Sequence, residues 1–397
     1  MDVRKQLEQL CKELNVTDVN FPEITVQNKA IELVPPYLTK QGYERIVLVV
    51  DYHTKKVAGD HLASLLTDVF ETTIVNLQPN NHGQVIADEQ AMVQLMIETP
   101  HDTDVFLAVG SGTIHDIVRF AGYKMDIPFI SIPTAASVDG FTSKGAPLIL
   151  RGVKQTIQTA SPMALFADID ILKAAPKEMT AAGFGDILGK YTSLLDWKIS
   201  DLIGKEPYYQ LAADMTRASL EKCVNNAEKI ANADDEGIEI LIHSLIESGL
   251  VMLVLDFSRP ASGGEHHLSH YWEMDLLDKD AHQLLHGAKV GVTTTIISDL
   301  YRKMLPSLAV DTSNGSELVK LFRTHFEEIK QEIDALPSVE ELRGLLKLVG
   351  GPTTPEELDI DVALVRMSLN EAFKLRERCT GLYIINQLKK EEIPYPI

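Results

Sequence analysis

DVFLAVGSGTIHDIVRF, residues 104–120, runs from a continuous apolar stretch into a segment of helical period, with Gly110 and Gly112 at the junction. An apolar run of this length bounded by glycine is a buried strand, and the repeat after it is a helix packed on that strand. Three further runs have the same character: RIVLVVD (45–51), TTIVNL (72–77) and PFISIP (128–133). Helical patterns such as VAGDHLASLLTDVF and ADEQAMVQLMIET lie between them. This alternation predicts a largely parallel sheet with helices on its faces.

A strand-to-helix turn built on glycine lets a pyrophosphate approach the backbone, where the helix N-terminus offers unpaired N–H groups. Ser111 and Thr113 can add hydroxyl hydrogen bonds. The turn departs from the GxGxxG fingerprint, because position 115 is His. The order of parts departs as well. The acid that binds ribose usually follows the turn by about twenty residues, whereas the best candidate here, Asp51, precedes it. A second turn, PTAASVDGFTS (133–143), ends the next strand with small and hydroxyl residues suited to a cofactor groove. On these residues alone, a nucleotide groove and a pair of ordinary βα turns both stand.

The pattern changes near ALFADIDILKAAP (164–176). From Leu172 onward the period is helical, as in YYQLAADMTRASLEKCVNNAEKIAN and ELVKLFRTHFEEIKQEIDAL. A chain of 397 residues is long for one core, so two domains are expected: 1–171, α/β, and 172–397, all-helical. GGPTTPEELDID (350–361) reads as a connector with a proline-helped helix start. The N-terminus reads as an amphipathic helix without the apolar core of a signal peptide. The most apolar helix, Ile238 to Phe257, carries Glu239, His243 and Glu247, which makes it a core helix and not a membrane span. Three cysteines in no CxxC pair fit reduced thiols in the cytoplasm. A net charge of −20 argues against nucleic acid and requires any anionic substrate to be held by a few local cations.

Half of the twelve histidines fall between His243 and His286. GFGDILGK places Asp186 in an otherwise apolar helix start, SGGEHHLSH supplies His266, His267 and His270, and LHGAKVG supplies His286. Buried aspartates are rare without partners, and His266 and His270, four apart, share one helix face. One carboxylate and two imidazoles would leave an open position on a zinc-like ion. Spacing alone also allows surface or capping histidines.

Taken together, GSGTIHD, PTAASVDGFTS, AAGFGDILGK, ASGGEHHLSH and HGAKVG resemble the glycerol-1-phosphate dehydrogenase family of the iron-containing alcohol dehydrogenase superfamily, nearest its bacterial branch. The resemblance covers most of the chain and weakens after about Leu305. It implies an N-terminal Rossmann-like domain, a C-terminal helical domain, and a site in the cleft between them. It also implies reversible reduction of dihydroxyacetone phosphate to sn-glycerol 1-phosphate with NADH or NADPH, by a soluble enzyme that is commonly a dimer. Carried over motif by motif, Asp186, His266 and His286 resemble the family's metal ligands. The metal is zinc in archaeal members and is associated with nickel in the bacterial branch. Asp139, Asp186 and His270 resemble substrate-contacting residues, with Asp186 and His270 as catalytic candidates. Asp51, Gly110, Ser111, Gly112, Thr113, Ile114, Thr134, Ala135, Ala136, Ser137 and Ser143 resemble cofactor-binding positions. The sequence departs from the common archaeal form in reading GSGT for GGGS and in having Val138 where His is common. His267 is an extra histidine, so choosing His266 as the ligand rests on alignment to Glu265.

The expected chemistry is hydride transfer to a polarised ketone, with a proton supplied by His270 or solvent. Lys144 and Arg259 are the candidate phosphate cations. A polyol dehydrogenase of the same superfamily and a 3-dehydroquinate-synthase-like lyase are the alternatives.

Overall fold

The apolar runs 45–51, 104–110 and 128–133 are almost wholly buried, whereas 72–77, at the sheet edge, leaves Ile74 exposed. The computed structural model describes residues 3–310 and 316–397. The sheet strands are β1 (Glu23–Gln27), β2 (Arg45–Val50), β3 (Glu71–Asn76), β4 (Val105–Gly110), β5 (Phe129–Pro133) and, after a hairpin, β8 (Ala164–Asp168). They pair in the order β1-β8-β5-β4-β2-β3, all parallel. In β2, Ile46, Leu48 and Val50 face one apolar layer and Val47 and Val49 the other, as a strand covered on both faces requires.

Connectivity fixes where a ligand can sit. From β2 the chain moves outward to β3, whereas from β4 it moves the opposite way to β5. Neighbouring strands whose connections diverge leave a crevice at their carboxyl ends. Here those ends are Val50, followed by Asp51, and Gly110.

The sequence reading did not include β1, β8 or the antiparallel hairpin β6 (Gly145–Leu150) and β7 (Val153–Gln158). β8 runs straight into the helix Ile169–Lys173, so its apolar residues blend into a helical pattern. β7 is mostly exposed and polar. The hairpin turns on Arg151 (φ 52) and Gly152 (φ 74), the left-handed pair of a two-residue loop.

After β8, the described residues are helices and short turns. The helices Lys177–Leu188 and His286–Val310 pack backbone to backbone. A Cβ on Gly287 would lie 1.8 Å from the Ala182 carbonyl oxygen, and one on Gly185 would lie 2.3 Å from that of Gly287. The helix Asp235–Leu255 is long and apolar enough to cross a membrane, but 72% of its apolar window is buried inside the protein. It packs on the helices Val3–Leu14 and Gln210–Val224, so the first helix lies with the helical half although it precedes the sheet. In the 350–361 connector, the proline-helped start yields only the single turn Glu356–Leu358 before Asp361 caps the helix Val362–Glu371.

Candidate metal and cofactor site

Between the sheet's carboxyl edge and the helical half lies a cleft of about 330 Å³. One wall is the glycine turn. Ser111 precedes the helix Gly112–Met125 without capping it by its side chain, which leaves the first N–H groups free for an anion. His115 explains the departure from the fingerprint. Its Nδ1–H donates to the Ser111 carbonyl (2.9 Å) and its Nε2 accepts from the Ser131 hydroxyl (2.8 Å), so the imidazole braces the turn. Burial pushes His115 down to about 3, keeping it neutral.

Ser111, Gly112, Thr113, Ser137, Asp139 and Ser143 line the cleft. Gly110, Ile114, Thr134, Ala135 and Ala136 are buried and do not line it. A Cβ on Gly110 would meet the Ile114 side chain at 2.5 Å, and Ala136 presents its carbonyl to Gly183. Thr134 N donates to the Gly110 carbonyl (3.1 Å), joining the two turns. Asp51 stands at the neighbouring strand end, where one carboxylate oxygen caps the next helix through His53 N (2.9 Å) and Thr54 N (2.7 Å).

The other wall is built from side chains. The glycine contact brings Asp186, on one helix, to His286, at the start of the other. His266, in the first turn of the helix Gly264–Asp278, completes the set. The Nε2 atoms of His266 and His286 are 3.3 Å apart, and Asp186 Oδ1 is 3.6 and 3.8 Å from them. Ligands about 2.1 Å from a tetrahedral ion stand roughly 3.4 Å apart. Asp186 is 0% exposed, and its Oδ1 is buried without a hydrogen-bond partner. Its Oδ2 accepts from Asp139 N (3.0 Å). His266 Nδ1–H donates to Glu265 (2.8 Å), which also accepts from Thr192 Oγ1 (2.7 Å). That arrangement aims the Nε2 lone pair at the other two ligands.

The acids of this wall are also tied to Lys190, whose Nζ donates to Asp139 (2.6 Å) and to the Asp186 carbonyl (3.0 Å). Burial and the Asp186 charge push the Asp139 carboxyl up despite Lys190. Burial also works to raise Asp186, but Lys190 and the two histidines hold it well below the usual carboxylate range. Burial lowers His286 to about 3, so its lone pair is free. His266 is pushed up by Asp186 and Glu265 against burial; this corner favours positive charge. The residues present fit a metal ion.

His270 lines the cleft with its ring 6.0 Å from that of His266 and 5.8 Å from that of His286. His267 does not join the set, and both its ring nitrogens are buried without partners. Of the two candidate phosphate cations, Lys144 lines the cleft 3.8 Å from Asp256. Arg259 does not line it: its guanidinium is tied to Glu206 and stacks on Phe257. Lys154, Glu273, Lys289 and Arg376 line the cleft and were not among the sequence candidates. Glu273 bridges Lys154 (2.8 Å) and Lys289 (3.0 Å), bolting the hairpin to the helical half. Of these, only Lys289 falls inside a motif quoted from the sequence, HGAKVG.

The sequence profile of the iron-containing alcohol dehydrogenases matches residues 25–176, and solved structures of this class share the fold. A glycerol dehydrogenase from Schizosaccharomyces pombe superposes with a TM-score of 0.67 at 20% identity, covering 94% of this chain and 86% of that one. An iron-containing alcohol dehydrogenase from Thermococcus thioreducens gives 0.65 at 14% identity, covering 94% and 96%. Closer relatives narrow the class. A glycerol-1-phosphate dehydrogenase (NAD(P)+) of Bacillus licheniformis is 48% identical over 367 residues, which is 92% of this chain and 88% of the relative. That of Bacillus subtilis is 46% identical over 94% and 92%, and that of Pyrococcus horikoshii 35% over 83% of each. The chain belongs to the glycerol-1-phosphate dehydrogenase family.

Proposed function

We propose that this chain interconverts dihydroxyacetone phosphate and sn-glycerol 1-phosphate by hydride exchange with NADH or NADPH. The observation that carries the reading is the buried Asp186–His266–His286 set facing the glycine turn across one cleft, in a chain whose relatives bear that enzyme's name. Those relatives do not favour the polyol dehydrogenase or the lyase. The labour divides at about residue 171. The preceding α/β part holds the cofactor, through Asp51, residues 110–114, 134–137 and Ser143. The following helical part holds the metal and, with Asp139 from the loop after β5, the substrate.

A divalent ion bound by Asp186, His266 and His286, nickel or zinc, supplies Lewis acidity, and the nicotinamide supplies the hydride. The chain's own groups do the rest. Glu265 and Thr192 fix the His266 ring. Lys190 and Ser248 orient the Asp139 carboxylate, which Ser248 Oγ reaches at 2.9 Å, so that it can accept a substrate hydroxyl. His270 stands where it can move the proton of the alcohol oxygen. The enzyme is assigned to the cytoplasm as a homodimer acting on small molecules, without nucleic acid or membrane; light scattering checks the oligomer.

The test is NADH oxidation with dihydroxyacetone phosphate by metal-stripped protein, before and after adding nickel or zinc. Activity should return only with metal. His266→Ala and His286→Ala should lose metal and about a thousandfold or more in rate, the several kcal/mol of a Lewis acid. Full turnover with bound metal in either variant overturns the ligand set.

A further inference from the structure

Among the described residues, the side-chain cations lining the cleft are Lys144, Lys154, Lys289 and Arg376. Three of them have a carboxylate partner: Lys144 has Asp256, while Lys154 and Lys289 share Glu273. Arg376 has none. Its hydrogen bond runs from Nη1 to Ser262 Oγ (3.2 Å), leaving most of the five guanidinium donors unused. Behind it, Arg378 donates to the Ser262 carbonyl (2.6 Å) and Ser258 Oγ (3.0 Å), again without a carboxylate. The acid whose charge acts on Arg376 is Glu265, but its oxygens are taken by Gly263 N, Thr192 and His266.

Two unmatched guanidiniums at one corner are costly, because partly buried charge is normally paired. They are also unexpected in a chain of net charge −20. The corner comprises Ser258, Ser262 and the start of the helix that carries His266 and His270. It therefore lies with the metal wall, and the charge of Arg376 weighs directly on His270. A free planar fork beside two serine hydroxyls matches a phosphate ester, which takes bidentate hydrogen bonds from arginine.

We propose that Arg376, backed by Arg378 and Ser262, grips the phosphate of the three-carbon substrate and sets the preference for a phosphorylated ketone over a free one. This rests on the cleft being the site of dihydroxyacetone phosphate reduction. It moves phosphate recognition from the segments around Lys144 and Arg259 to LRERCTG (375–381).

The experiment measures kcat/KM with dihydroxyacetone phosphate and with dihydroxyacetone for the wild type, Arg376→Ala, Arg376→Lys and Lys154→Ala. Inorganic phosphate serves as a separate binding probe, and bound metal and NADH titration report folding. Arg376→Ala should lower the phosphorylated-to-free preference at least about 30-fold, the smallest effect of removing one partner of a desolvated charge pair. The change should lie mainly in KM, with a parallel loss of phosphate binding, and Arg376→Lys should recover part of both. Equal losses with the two ketones overturn the proposal, as does a preference that collapses in Lys154→Ala and survives in Arg376→Ala. Should Arg376→Ala fail to fold, a folded Arg376→Lys with unaltered preference and phosphate affinity overturns it too. A wild type that reduces neither ketone refutes the functional reading alone. Phosphate binding then decides for Arg376 if it weakens in the variants, and against it if it is absent or unchanged.

Discussion

The two walls of the cleft are made of different materials. The sheet side is main chain and small residues, with Gly112, Ser111 and Ser137 presenting N–H groups and hydroxyls. The helical side is charged side chains taken out of water, each held by a partner distant in sequence: Glu265 by Thr192, Lys190 by Asp139, Glu273 by Lys154. A backbone wall needs space; a side-chain wall needs aim. Space is lost when a methyl group is added, and aim is lost when a single hydrogen bond is removed.

The largest effect should come from adding bulk where the metal wall is closest to pure backbone. Gly287→Val would drive its side chain into the Ala182 carbonyl, 1.8 Å from a Cβ. It should cost about 3 kcal/mol or more and separate His286 from Asp186. Urea denaturation and metal analysis would show both; a wild-type midpoint with full metal content would mean that the helix contact does not hold the ligands together. Removing aim should do less. Glu265→Gln keeps the shape but weakens the grip on His266 Nδ1, and metal affinity should fall about 10–100-fold with the melting temperature little changed. A competition titration against a chelator reads this, and unchanged affinity would show that packing alone orients the ring.

The smallest effect at neutral pH belongs to the sheet side. His115 is held neutral with its folded value near 3, whereas the unfolded imidazole takes a proton near 6.5. The unfolded state therefore binds more protons below about 6.5, so stability is fully present above that pH and falls as pH drops towards 3. His115→Gln should flatten this part of the stability–pH profile while modestly weakening cofactor binding, because the brace on Ser111 changes. An acid limb as steep as that of the wild type would mean that other groups account for it.

The same contrast explains what the sequence disclosed. The glycine turn and the four strands at 45–50, 71–76, 105–110 and 129–133 are local patterns, and they appear where expected. Asp186 stands out as a carboxylate in an apolar helix start and His266 and His286 by the clustering of histidines, and the family motifs supply their grouping. The supports did not stand out. Lys190 looks like any helical lysine until Asp139 arrives from 51 residues away. Arg376 lies 110 positions beyond His266, in a segment without motif. Arg259 is closer in sequence to the metal helix, yet Glu206 holds it away from the cleft. β7 is hidden for a related reason: most of its residues are exposed, and only the pairing with β6 makes it a strand.

Asp186 shows one oxygen to the imidazoles and gives the other to the main-chain N–H of Asp139, in the loop that follows β5. A single carboxylate thus ties the two imidazoles to the loop that follows β5. If NAD(P)H tightens that loop, the ion is bound more strongly, and by thermodynamic reciprocity the ion must raise the affinity for NAD(P)H by the same factor. Metal and NAD(P)H would then bind as one cooperative event.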